Sequence, residues 1–181
     1  MDHDLTTLDG TFHHVWALLS DGVKTPTSPA RTVALATQST DGGASVRMVV
    51  LREANREANT LTIFTHRASG KVRELTRQPR AEILIWDPGL QFQVRLRVMI
   101  ALSDGSADIW NRFGAATQRN YANTPVPGAE ILEPRAVDPV PDPSTFVVLT
   151  AKLNEVETLW LAPDVHRRAV FTNERASWIA P

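Results

Sequence analysis

The apolar positions of this chain first recur at helical spacing and then alternate. Leu8, Phe12, Val15, Trp16 and Leu19 lie three or four residues apart, one buried face of a helix, with Thr7 or Asp9 as N-cap and Asp21-Gly22 as a stop. After the loop at Pro26 to Pro29, residues 32–38 read as a strand, Thr40-Asp41-Gly42-Gly43 as a hairpin turn and residues 44–51 as the return strand. The polar stretch 52–59 leads to a third strand over 60–65, rich in β-branched and aromatic residues. Ser69 stands as N-cap to a short helix over 70–77, which must stop near Gln78 because Pro79 disfavours the α conformation before it. A fourth strand covers 81–86, closed by the turn Asp87-Pro88-Gly89.

In the fifth strand Phe92, Val94, Leu96, Val98, Ile100 and Leu102 alternate with Gln91, Gln93, Arg95, Arg97 and Met99, so one face is core and the other polar. Asp104 can cap a helix over 106–118 whose apolar stripe is Ile109, Trp110 and Phe113. Six of the twelve prolines fall between Pro125 and Pro143, which predicts a long extended crossover. Strands over 145–153 and 156–161 flank Asn154, and a last one covers 167–171. The expectation is one domain over 1–181, mainly β (α+β): an antiparallel split barrel of about eight strands with about three helices. No GxGxxG or P-loop pattern occurs.

A net charge of −1 argues against a general nucleic-acid binder. The charge is uneven, however: residues 31–80 hold nine Arg or Lys against four acids, a region able to attract a small anion. The absence of cysteine excludes thiolate chemistry and disulfides. The five histidines lack metal-ligand spacing, so no metal is expected. The N-terminal residues lack the pattern of a signal peptide and no run is long enough to span a membrane, which predicts a soluble, cytoplasmic protein.

Ser69-Gly70-Lys71 opens a helix whose free N–H groups and dipole favour an anion, and Lys71 adds a full charge. Arg47 on the return strand offers a two-pronged grip. Taken singly, each has a plainer reading: an ordinary N-cap with a solvated lysine, and a surface strand arginine.

The ordered series narrows this. Arg47-Met48-Val49-Val50-Leu51-Arg52, then Ile63-Phe64-Thr65-His66 with Ser69 and Lys71, then Gln78-Pro79 with Ala81-Glu82-Ile83, then Trp86 and Gln93-Val94-Arg95 resemble the FMN-binding core of the pyridoxamine 5′-phosphate oxidase family. Leu159-Trp160 and His166 with Arg168 resemble its C-terminal motif. The resemblance implies that Arg47 and Lys71 bind the FMN phosphate with Ser69 and Thr65. Met48, Val49 and Val50 then lie against the flavin and ribityl chain, Arg52 and Phe64 complete the cofactor set, and Gln93 bonds the ring edge. It also implies a homodimer with cofactor sites between subunits, Trp160 and Arg168 reaching the flavin from the second one. For Trp160 a core tryptophan is an equal reading, and His66 reads as a surface histidine beside a turn.

Two positions depart from the family pattern. Asp164 stands where the oxidases have an arginine, and Arg52 replaces the lysine closing the first motif. The residues around Trp110 also lack a clear match to the tyrosine, arginine and serine that hold pyridoxal phosphate. The implied function is an FMN-dependent oxidoreductase with a small-molecule substrate other than pyridoxamine 5′-phosphate, NAD(P)H being a candidate donor and Arg52, Arg95 and His166 candidates for the substrate wall. Alternatives are a non-catalytic flavin-binding or redox-sensing protein, and a split barrel holding haem or a deazaflavin.

Overall fold

Six antiparallel strands close into a barrel in this computed structural model, which describes residues 4–122 and 124–181. They are β1 (Thr32–Gln38), β2 (Ala44–Asn55), β3 (Thr60–His66), β4 (Arg80–Asp87), β5 (Phe92–Asp104) and β6 (Phe146–Trp160). Their order is β3-β2-β1-β4-β5-β6, and β6 pairs back onto β3; β7 (Arg167–Thr172) and β8 (Ala176–Ile179) extend the sheet beyond β6. The alternation in β5 is the cause in miniature: Phe92, Val94, Leu96, Val98 and Ile100 are all buried, against Leu35, Leu51, Ile63, Ile83 and Leu149 from the other strands. Closure leaves these six strands no free edge. The expected split barrel is therefore what the chain forms.

β6 changes partner half-way. Residues 146–152 pair with β3 and residues 155–160 with β7, and the register against β5 slips between Arg97 and Val98 at the bulge beside Asn154. The two strands expected on either side of Asn154 are thus one bent strand. The eighth strand is β8, which the sequence reading did not include.

Helix α1 (Leu8–Lys24) begins at Thr7, whose hydroxyl accepts from the Gly10 amide, but runs through the expected stop at Asp21-Gly22. A Cβ on Gly22 would lie 2.5 Å from the Ala30 carbonyl oxygen, so this glycine serves close packing and not helix termination. Helix α2 (Gly70–Arg77) has the expected bounds. The helix expected over 106–118 is broken into α3 (Ala107–Asn111) and α4 (Ala115–Arg119), and Ser106, not Asp104, caps α3. The break at Gly114 goes with packing Trp110 and Phe113 on Phe146, each with ring centroids 5.6 Å away. The 125–143 segment is the expected long crossover, with two short 3-10 turns and one bridge, Thr124 to Asp138. Among the described residues no helix is long and apolar enough to cross a membrane.

Candidate functional site

The mouth of the barrel under α2 gathers the predicted anion ligands. Thr65 ends the inward row of β3, and its hydroxyl lies 3.2 Å from the Ser69 hydroxyl and accepts from the Lys71 ammonium at 3.0 Å. Ser69 does precede α2, but its side chain makes no capping bond and turns to Thr65 instead. The Val72 N–H bonds the Ser69 carbonyl, and among the described residues the Gly70 and Lys71 N–H groups remain open to an anion. Burial, and then the like charge of Arg47, push the Lys71 pKa down, with Glu74 pulling it back.

Arg47 is already engaged. It donates to the Glu74 carboxylate at 2.6 Å, to the Ser45 and Thr37 hydroxyls and to the Leu35 carbonyl. Burial acts to raise the Glu74 pKa, but Thr37 and Arg47 outweigh it and the net shift is downward, so this carboxylate stays ionised beside two cations. Glu74 was missed by sequence reasoning, although its place three residues after Lys71 puts both on one helix face. Two cations against one carboxylate leave a net charge of about +1, which with two hydroxyls and a helix start suits an anionic group such as a phosphate.

His66 corrects its expected role as a surface residue. It is buried, its Nδ1 accepts from the Ala68 amide at 3.0 Å, and burial followed by the Lys71 charge lowers its pKa. A neutral imidazole thus holds the turn that delivers Ser69.

Beside this mouth, Met48 and Val50 face outward on β2, Met48 61% exposed, while Val49 turns into the core. Arg52 donates to the Tyr121 hydroxyl at 2.8 Å and its guanidinium lies 5.9 Å from the Phe64 ring centre. Its Nε is buried without a partner among the described residues. Tyr121 is the chain's one tyrosine, sixty-nine residues from Arg52, and no local pattern pairs them.

Gln93, Trp160 and Arg168 lie elsewhere. Gln93 pairs with Leu159, which pairs with Arg168; Trp160 pairs with Phe92 and Arg167. Arg168 bonds Glu157 at 2.9 Å, and Trp160 packs on the core with the Arg167 guanidinium 5.2 Å from its ring centre. Trp160 is thirteen residues along β6 from Val147, the partner of Thr65, which at about 3.3 Å per residue is roughly 40 Å of strand. Asp164 is clamped by Arg167 at 2.7 and 2.9 Å, which holds its pKa far below the carboxylate range, and His166 is exposed.

A family model described as pyridoxamine 5′-phosphate oxidase matches residues 19–159. The chain belongs to that family. Curated relatives named pyridoxine/pyridoxamine 5′-phosphate oxidase include one from Rhodopseudomonas palustris (strain HaA2), 32% identical over 108 residues, 59% of this chain and 50% of the relative. Another, from Anaeromyxobacter dehalogenans (strain 2CP-C), is 39% identical over 84 residues, 46% of this chain and 41% of its own. The chain therefore spans about half the length of the curated relatives it matches.

Two solved structures share the fold at low identity. A pyridoxamine 5′-phosphate oxidase-related, FMN-binding protein from Nostoc punctiforme PCC 73102 has TM-score 0.77 and 23% identity, over 98% of this chain and 100% of that one. PhzG from Burkholderia lata 383, in complex with tetrahydrophenazine-1-carboxylic acid, has TM-score 0.75 and 20% identity, over 94% and 91%.

Proposed function

We propose that this chain binds FMN as a homodimer and acts as an FMN-dependent oxidoreductase on a substrate other than pyridoxamine 5′-phosphate. The observation that carries the reading is the cluster of Thr65, Ser69 and Lys71, with Arg47 beside them, at the first turn of α2. These groups hold the phosphate, and displacing Glu74 from Arg47 frees the second cation for it. Met48 and Val50 support the ring, and the Gln93 amide of the second copy, both donor and acceptor, orients its edge. The two-electron chemistry is supplied by the flavin when bound, and the protein's part is binding and polarisation. Arg52, desolvated on one side and tied among the described residues to a neutral hydroxyl and a ring, meets an anionic group of the substrate.

Reach supports the dimer. In this reading one FMN held by Lys71 does not span the length of β6 to Gln93, Trp160 and Arg168 of the same chain, so these three residues serve the site of the second copy. Exposed Val46, Met48, Leu84 and Trp86 on the outer face, with Val126, Ile131 and Leu132 on the crossover, supply apolar surface for that contact. Against pyridoxamine 5′-phosphate stands Asp164, an acid at the position of the oxidases' arginine, with its charge kept by Arg167. Trp110 and Phe113 likewise pack on Phe146.

The test is to purify the protein, identify the cofactor released on denaturation by mass, and titrate the apo-protein with FMN and with riboflavin. FMN bound at least tenfold more tightly than riboflavin is the expected result; equal binding would remove the phosphate site. Sedimentation of apo and FMN-loaded protein through a dilution series should show FMN stabilising the dimer, since a ligand touching both chains favours the associated state. Bleaching of the flavin bands by NADH or NADPH separates an enzyme from a carrier.

A further inference from the structure

The outer face of β4, β5, β6 and β7 carries six charges in one unbroken run. Glu155 holds Arg97 at 3.1 Å, Arg97 and Arg95 hold Glu82 at 3.2 and 3.0 Å, Arg95 reaches Glu157 at 3.2 Å, and Glu157 ends the run on Arg168 at 2.9 Å. The sheet fixes this order: Glu82 and Arg97, Arg97 and Glu155, and Arg95 and Glu157 are direct cross-strand partners. Burial acts to raise the Glu82 pKa, and hydrogen bonds from Arg95 and Arg97 outweigh it. Three carboxylates face three guanidiniums, so the run is neutral as a whole.

Most exposed ion pairs contribute little to stability, and the Arg97 end is of that kind. Glu157 differs, because its side chain is only 12% exposed and one oxygen takes every bond. Its Oε1 accepts from Arg95 Nη1 at 3.2 Å, from Arg168 Nε at 3.2 Å and from Arg168 Nη2 at 2.9 Å. The guanidinium of Arg168 is thus gripped along its Nε–Nη2 edge, which leaves Nη1 outside the grip.

We propose that Glu157 is the positioning residue for Arg168, fixing the direction of its guanidinium and offsetting part of its charge at the flavin ring of the second copy. This rests on the FMN reading above. Reduction adds negative charge to the ring, so a cation nearby favours the reduced form, and a carboxylate behind that cation weakens the effect. Gln at position 157 keeps an oxygen acceptor for Arg168 but removes the offset. Losing Arg95 does the reverse, since Glu157 then carries its charge against Arg168 alone.

The experiment measures FMN affinity and midpoint potential in the FMN-loaded dimer for wild type, Glu157→Gln, Glu157→Ala, Arg95→Gln and Arg168→Ala. Glu157→Gln should favour reduced over oxidised FMN by up to about tenfold, which is about 30 mV for a two-electron couple, with affinity for oxidised FMN within threefold of wild type. Glu157→Ala should weaken oxidised FMN about tenfold, because Arg168 loses its direction. Arg95→Gln and Arg168→Ala should both lower the potential, and Arg95→Gln keeps the test decisive where Glu157→Ala fails to fold. A potential unchanged or lowered in Glu157→Gln, with Arg168→Ala shifted, overturns the role of Glu157 alone. No shift in Arg168→Ala removes the flavin contact itself, and the proposal with it.

Discussion

At the α2 end of the site, Arg47, Thr65, Ser69, Lys71 and Glu74 hold one another within a span of twenty-eight residues, by bonds of 2.6 to 3.2 Å under a helix start. At the β5–β7 end, Gln93 and Arg168 come from distant parts of the chain and lie on an outer face, Arg168 steadied by Glu157, while Trp160 packs on the core side with the Arg167 guanidinium over its ring. The first end gathers its charged and hydroxyl groups within one chain, and in the proposed reading it takes the phosphate. In the proposed reading the second is half of a site, its polar and aromatic groups completed by a second copy. A phosphate anchor that is preformed gives affinity, while a ring site completed by association gives a means of coupling binding to assembly.

The largest effect that would test this contrast is removal of the anchor charge. Lys71→Ala should weaken FMN roughly ten- to a hundred-fold, the worth of about 1.5–3 kcal/mol for a charge-assisted bond, and leave riboflavin affinity unchanged. Arg168→Ala should weaken FMN and riboflavin alike and by less. Parallel titrations of both flavins check this, and equal losses of riboflavin in both variants would erase the distinction between the ends.

The two ends also differed in how far they were legible. The motif around Arg47 and Lys71 was readable because β2, β3 and α2 are consecutive, and local alternation and capping residues locate each side chain. What stayed hidden there was the tertiary detail: that Ser69 would turn to Thr65, that His66 would be buried, and that Glu74 would hold Arg47. At the other end the bulge at Asn154 bends one strand into two partners, so a pattern of two short strands was read where β6 is continuous. The pairing of Arg52 with Tyr121, and of Arg168 with Glu157, depends on the closure of the barrel, which no window of sequence contains.

Glu74 sharpens the comparison from within the anchor. Glu74→Gln removes the carboxylate that competes with phosphate for Arg47, so FMN should bind several-fold more tightly. The same change leaves Arg47 and Lys71 as neighbouring cations in the empty site, so the apo-protein should lose about 1–3 kcal/mol of stability. Thermal unfolding with and without FMN measures both, and the predicted signature is a lower apo midpoint with a larger shift on adding FMN. Weaker FMN binding in this variant would mean that Glu74 positions Arg47 for the phosphate and does not compete with it.

A smaller effect comes from pH. The Lys71 pKa is lowered from its usual 10.5 by burial and by Arg47, so between the lowered value and 10.5 the unfolded chain binds the proton that the folded apo-protein has lost. Apo stability from this group therefore rises with pH in that window. FMN binding has the opposite slope, because the phosphate needs the ammonium, and binding there should take up a proton. Calorimetric titration in buffers of different ionisation enthalpy detects that uptake, and Lys71→Ala should abolish it while ring-end variants keep it.

The smallest effect concerns the wall between the two ends. Tyr121→Phe keeps the ring in contact with Phe146, 5.4 Å between centroids, and with Phe113, but removes the hydroxyl that holds Arg52. The guanidinium keeps its place over Phe64 and can turn to water, so the stability loss should be about 1 kcal/mol. FMN affinity should stay within twofold, because neither the phosphate anchor nor the residues of β5–β7 depend on this bond. Binding of anionic substrates or inhibitors should change more than FMN does, since it is the direction of Arg52 that is lost. A change in FMN affinity as large as that in Lys71→Ala would move Arg52 out of the substrate wall and into the anchor, and the two ends would then be one continuous site within a single chain.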